Sequence, residues 1–95
     1  MGRAAKFVAV YDVSDDGERG RIAKVLEGFG VRVQRSAFEC ALTRGSVASL
    51  LRKLKELNPQ TGFVFIYRVQ ARAGRVAVGK VPENPMDDSH YAFVI

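Results

Sequence analysis

The chain has 95 residues, the size of one domain, and its 47% hydrophobic and 26% charged residues exclude a disordered chain. Fifteen Lys and Arg against ten Asp and Glu give a formal charge of +5. The imbalance sits in the body: Glu83, Asp87 and Asp88 are the only charges after residue 82, so residues 1–82 carry +8, a surface suited to a polyanion such as nucleic acid or simply to solubility.

Residues 1–5 read as a loose leader. Residues 6–13, Lys-Phe-Val-Ala-Val-Tyr-Asp-Val, form the first strand, short, β-branched and apolar on both faces, as a central strand should be. Ser14-Asp15-Asp16-Gly17-Glu18 opens a helix, with Asp15 and Glu18 spaced as a capping box and the acids placed at the positive helix end. Ile22, Val25, Leu26 and Phe29 form its apolar stripe, and Gly28 and Gly30 close it. Val31 and Val33 then alternate with polar residues, but Phe38, Cys40 and Leu42 carry the opposite parity. A strand with one buried face cannot change parity without a turn or bulge, so residues 31–42 read as two strands at a tight connection or as one bent ribbon. Gly45 and Ser46 open a second helix with Val47, Leu50, Leu51, Leu54 and Leu57 on its apolar face, and Asn58-Pro59 stops it. Residues 62–69, Gly-Phe-Val-Phe-Ile-Tyr-Arg-Val, form another strand. A short basic strand is expected at 75–78, then a loop around Pro82 and Pro85. The terminal run 91–95, Tyr-Ala-Phe-Val-Ile, should dock against its own sheet edge or a neighbour's. The order strand, helix, strand, strand, helix, strand is the split βαβ pattern of a ferredoxin-like α+β fold, and 1–95 reads as one domain with 82–95 as a C-terminal extension expected to dock a second subunit or a partner.

One cysteine, Cys40, and one histidine, His90, exclude an intramolecular disulfide, a multi-thiolate metal site and a histidine ligand pair within one chain. No apolar run approaches the ~18 residues of a membrane span and no signal-like segment opens the chain, so the cytoplasm is the expected compartment. The residue that stands out is Asp12, at the end of an apolar strand. Aspartate is disfavoured in strands, and a buried one needs a cation, a hydrogen-bond network or a metal; the plainer role is a cap for the helix that follows. Parity with Phe38 and Leu42 makes Cys40 an inert buried thiol. Glu39, on the other parity, suits a cross-strand salt bridge. His90 reads as a surface residue. No phosphate-loop glycine pattern occurs.

The run Val-Tyr-Asp-Val-Ser-Asp-Asp (10–16), the helix arginines Arg19 and Arg21, Leu-Glu-Gly-Phe-Gly (26–30), Arg-Val-Gln-Arg-Ser-Ala-Phe-Glu-Cys (32–40) and the strand Phe-Val-Phe-Ile-Tyr (63–67) together resemble the CRISPR-associated protein two family, the small subunit of the spacer-acquisition integrase complex. The likeness runs over about residues 6–69. It implies a ferredoxin-like homodimer with an extra C-terminal strand, and an antiviral-defence role as a nucleic-acid-binding adaptor for the larger integrase subunit. It also implies a metal-dependent endonuclease activity on single-stranded RNA or duplex DNA. Asp12 is then the catalytic residue, sharing Mg²⁺, or Mn²⁺ in its place, with its dimer mate. Arg19, Arg21 and Arg32 are the implied nucleic-acid contacts, and Tyr11 and Phe38 stand at positions implied to stack on a base or to lie at the interface. Parity with Phe7 and Ala9 makes core packing the plainer role for Tyr11, and parity with Cys40 and Leu42 does so for Phe38. Arg35 departs from the family, many of whose members carry an aromatic there.

Two other readings stay open, the second of them implied by the family resemblance. An RNA-recognition-like module without catalysis shares the βαββαβ order but needs exposed aromatics on its two central strands; Phe63 and Phe65 are candidates, although an apolar strand also explains them as core. A dimer that bridges integrase subunits without cutting anything is the other.

Overall fold

The computed structural model describes residues 3–70, 75–80 and 91–94. In chain order they form β1 (Ala5–Val13), α1 (Asp16–Glu27), β2 (Gly30–Gln34), β3 (Ala37–Leu42), α2 (Arg44–Leu57), β4 (Gly62–Val69), β5 (Arg75–Ala77) and β6 (Tyr91–Val94). The first four strands build one antiparallel sheet in the order β2-β3-β1-β4. Each helix carries the chain between parallel strands that leave a gap, β1 to β2 and β3 to β4, and the gaps interleave so that β1 and β3 are central. This is the ferredoxin-like α+β arrangement that the element order requires.

Strand alternation divides the sheet into two faces. Ala9, Tyr11 and Val13 of β1 and Phe38, Cys40 and Leu42 of β3 point under the helices. There they meet Ile22, Ala23 and Leu26 of α1 and Leu50 and Leu54 of α2 in a single core. On α2 the apolar face is narrower than expected. Leu50 and Leu54 are buried one turn apart, whereas Leu51, about 100° further round the helix, faces solvent.

The parity change in 31–42 has a simple origin. Two strands meet at a turn over Arg35 and Ser36, and the register slips between Arg32 and Gln34, so Val33 is an extra residue and β2 bulges. The second helix begins one residue earlier than expected, because Thr43 is its N-cap: Ser46 N donates to Thr43 Oγ1 at 3.2 Å, and Thr43 N donates to Ser46 Oγ at 3.1 Å. Asn58, at φ 47°, ends it in the left-handed conformation that asparagine tolerates.

β6 pairs with β5 in parallel, Arg75 opposite Tyr91 and Ala77 opposite Val94, as a two-stranded sheet separate from the first. The expected loop around Pro82 and Pro85, and His90, lie outside the described residues. No described helix is long and apolar enough to cross a membrane.

Candidate functional site at the tip of β1

Three sets of contacts fix the end of β1. On the β3 side, Tyr11 N donates to Ser36 O at 3.0 Å and the Tyr11 hydroxyl donates to Arg35 O at 3.3 Å, which seats the β2–β3 turn against the strand. On the β4 side, Gly62 lies so close that a Cβ there would collide with the Asp12 carbonyl. At the strand end, Arg19 Nη1 donates to Val13 O at 3.1 Å and to Ser14 O at 3.0 Å, and its Nη2 donates to Asp16 Oδ1.

The start of α1 adds a clamp. Asp15 is the N-cap and accepts from Glu18 N at 2.8 Å, so half of the expected capping box forms. The Glu18 carboxylate does not return to Asp15. It crosses to the α2–β4 loop, accepting from Gln60 N at 2.7 Å, Thr61 N at 2.9 Å and the Thr61 hydroxyl at 2.6 Å. Asp15 N in turn donates to Thr61 Oγ1 at 3.0 Å. Those donors, the Thr61 hydroxyl first, hold the Glu18 carboxyl below the usual glutamate range.

Between these fixed points the Asp12 carboxylate is free. The residue is exposed, and among the described residues its side chain has no hydrogen-bond or ion-pair partner. Two expectations are corrected here. Asp12 is solvated in the single chain, so burial does not force a counter-ion on it, and the cap of α1 is Asp15. Its even position in β1 turns Asp12 away from the helices, opposite Phe63 of β4.

Asp12 lines a cleft of about 620 Å³ together with Asp16, Arg19, Arg32 and Arg35. Asp12, Arg19 and Arg32 are therefore brought together, and Arg35 joins them although sequence reasoning assigned it no role; its place in the β2–β3 turn is what brings it in. Arg21 does not line the cleft. It projects elsewhere from α1, beside Gly17 and the Glu18 charge. Arg32 lies over the Phe38 ring at 5.2 Å. Tyr11 and Phe38, at 4% and 0% exposure, are core residues, and Tyr11 also reaches the lining of the Asp12 cleft. Cys40 is buried as well, and burial, with Glu39 nearby, pushes its thiol upward, away from a thiolate nucleophile.

The other face of the sheet settles what the sequence left open for Phe63 and Phe65, exposure or core, and adds Tyr67 to them. Phe63, Phe65 and Tyr67 of β4 are 44%, 50% and 54% exposed and form a continuous row, with ring centroids 4.5 Å and 6.0 Å apart. Val10 and Val8 stand opposite Phe65 and Tyr67 on β1, and Asp12 ends the same row beside Phe63. Alternation at 63, 65 and 67 was readable, but Val64 and Ile66 are apolar too, so the sequence did not show which set was covered.

Against known proteins, the model of the family described as CRISPR associated protein Cas2 matches residues 5–75. The chain belongs to the Cas2 family. It is 34% identical over 91 residues to a CRISPR-associated endoribonuclease Cas2 of Pyrobaculum aerophilum, covering 93% of this chain and 95% of that one. It is 37% identical over 73 residues to the CRISPR-associated endoribonuclease Cas2 of Mycobacterium tuberculosis, covering 77% of this chain and 65% of that protein's length. Among solved structures, a hypothetical protein from Thermus thermophilus superposes with a TM-score of 0.73 at 33% identity, covering 85% of this chain and 98% of that one.

The donor set fits a hard cation in one respect and falls short in another. An unpartnered carboxylate at a rigid strand tip suits Mg²⁺, which takes oxygen ligands and keeps several waters. Yet no group of three or more His, Cys, Asp or Glu able to hold a metal occurs among the described residues, and Arg19 already engages Asp16. One chain thus offers one good ligand, and a second carboxylate must come from elsewhere.

Proposed function

We propose that this chain acts in CRISPR adaptation as a homodimer, binding nucleic acid as an adaptor for the larger integrase subunit, and that the same dimer is a metal-dependent endonuclease centred on Asp12. The observation that carries the reading is that Asp12 stands on the uncovered aromatic face of the sheet. Joining two such faces would bury the Phe63, Phe65 and Tyr67 rows and bring the two strand tips toward one another, so that a twofold axis supplies the missing carboxylate.

The two Asp12 carboxylates would hold Mg²⁺, or Mn²⁺ in its place, and the bound ion would supply Lewis-acid polarisation of a phosphodiester and a more acidic water. The residues of this chain do the rest. The Glu18–Thr61 and Arg19–Val13 contacts keep the β1 tip in place, and Arg32 and Arg35 offer planar forks to backbone phosphates. The word endoribonuclease in the relatives' names supports cleavage of RNA. The basic body of the chain supports binding to either nucleic acid. The RNA-recognition alternative is disfavoured, because the exposed aromatics lie on β4, an edge strand, and not on the central β1 and β3.

The test uses the purified chain. Sedimentation should give a dimer. Single-stranded RNA and duplex DNA are offered with Mg²⁺, Mn²⁺ or chelator, with Asp12→Asn as control. Cleavage should need the metal and fall at least about 100-fold in Asp12→Asn, while spacer integration with the larger subunit survives the substitution. Cleavage at the wild-type rate by Asp12→Asn sinks the proposed chemistry, and loss of integration in that variant sinks the separation of the two roles. Failure of the chain to capture the larger subunit sinks the adaptor.

A further inference from the structure

At the end of the sheet opposite Asp12 lies a second basic cleft, of about 440 Å³. Arg3, just ahead of β1, Arg44, the first residue of α2, and Arg68, near the end of β4, line it, over an apolar floor of Ala5, Leu42 and Val47. These arginines come from chain positions 24 or more residues apart. All three are exposed, and among the described residues none has a carboxylate partner.

Two features set this cleft apart from a solvated basic surface. First, the charged residues of its lining are all cationic, whereas the Asp12 cleft mixes arginines with Asp12 and Asp16. Second, Arg44 breaks a local rule. Helix N-termini are electropositive and favour acids; α1 obeys with Asp16 and Glu18, but α2 has no acid in its first turn and begins with an arginine. A bound anion would remove that conflict, since it would meet three guanidinium groups and a positive helix end beside a low-dielectric floor.

We propose that Arg3, Arg44 and Arg68 form a second phosphate-binding cleft that grips the backbone of a nucleic acid without cutting it. The proposal rests on the nucleic-acid-binding part of the function above and adds the place of the second grip. With no carboxylate in its lining the cleft has no means of holding a metal, so it anchors. Seven residue steps of β1 separate the two ends, about 23 Å, or roughly seven base-pair rises of a duplex, so one duplex longer than a helical turn has the length to reach from one end of the subunit to the other.

The test measures binding of the full chain to a mixed-sequence duplex about 30 base pairs long, in chelator, from 50 to 200 mM salt. In Arg44→Gln/Arg68→Gln, affinity should fall about tenfold or more at low salt, and the slope of log K against log[salt] should shrink by about 0.9 for each phosphate that the variant no longer neutralises. Arg3→Gln, outside every element, should move the slope in the same direction. The control Arg52→Gln/Lys55→Gln removes the same charge from the C-terminal half of α2, outside the cleft, and should leave the slope near wild type. An unchanged slope in the Arg44/Arg68 variant, or an equally weakened control, overturns the second cleft alone. A wild-type chain that binds no duplex at any salt overturns both this proposal and the nucleic-acid reading beneath it.

Discussion

Phe38 and Phe65 are the same side chain on the same four-stranded sheet, yet Phe38 is 0% exposed and Phe65 is 50% exposed. The difference is in what lies above them. Phe38 points into the layer where α1 and α2 close over β1 and β3. Phe65 points the other way, onto a face where its ring neighbours among the described residues are Phe63 and Tyr67 and Val10 stands opposite it on β1. One face is finished within the subunit. The other carries three large aromatics in a row with an acid at its end, a surface that a second subunit would complete.

The strongest way to break this comparison is to truncate both rings in dilute protein. Phe38→Ala should cost about 3–5 kcal/mol of folding stability by denaturant unfolding, because it leaves a cavity that the core cannot fill. Phe65→Ala should cost under about 1 kcal/mol in a dilute chain and instead raise the dimer dissociation constant by sedimentation. Equal drops in folding stability would mean that the aromatic face is covered within the chain.

Gly62→Ala probes the seam between β1 and β4. A Cβ there meets the Asp12 carbonyl, so β4 must move from β1, at a cost of about 1–3 kcal/mol. Amide exchange should report the opening at the β1 tip while α2 stays protected, and uniform deprotection would show that the tip is no separate unit.

The smallest effect concerns acid. Glu18 is held below its ordinary range by the Thr61 hydroxyl and the Gln60 and Thr61 amides. A carboxylate depressed in the folded state contributes stability that is complete above its unfolded value, about 4.3, and is lost as pH falls through the lower folded value. Wild-type stability should therefore fall on acidification below about pH 4.3, and Glu18→Gln should flatten that part of the profile. If the wild-type and Glu18→Gln profiles run parallel there, the clamp does not act through its charge.

The elements were legible because their signals are local. Short β-branched and aromatic runs, apolar on both faces, marked β1 and β4, the glycines after Glu27 closed α1, Asn58-Pro59 stopped α2, and the parity change announced the β2–β3 connection. Asp12 stood out for a similar reason, since an acid at the end of an apolar strand is a departure visible within eight residues. Arg19 and Arg32 were legible through family likeness, and Arg21, named with them, proved to lie outside the cleft, because two residues along a helix turn a side chain about 200° around its axis.

What the sequence determined by itself was therefore the order of the elements, the fold class and the acid at the strand tip, all set by hydrogen bonding and periodicity within a few residues. Only the tertiary structure decided which face of β4 lay open, that Leu51 faced water, that Glu18 clamped the loop before β4, and that Arg3, Arg44 and Arg68 met at one end of the sheet. Those facts depend on contacts between residues far apart in the chain, and an apolar or basic side chain carries the same local signal whether or not anything covers it.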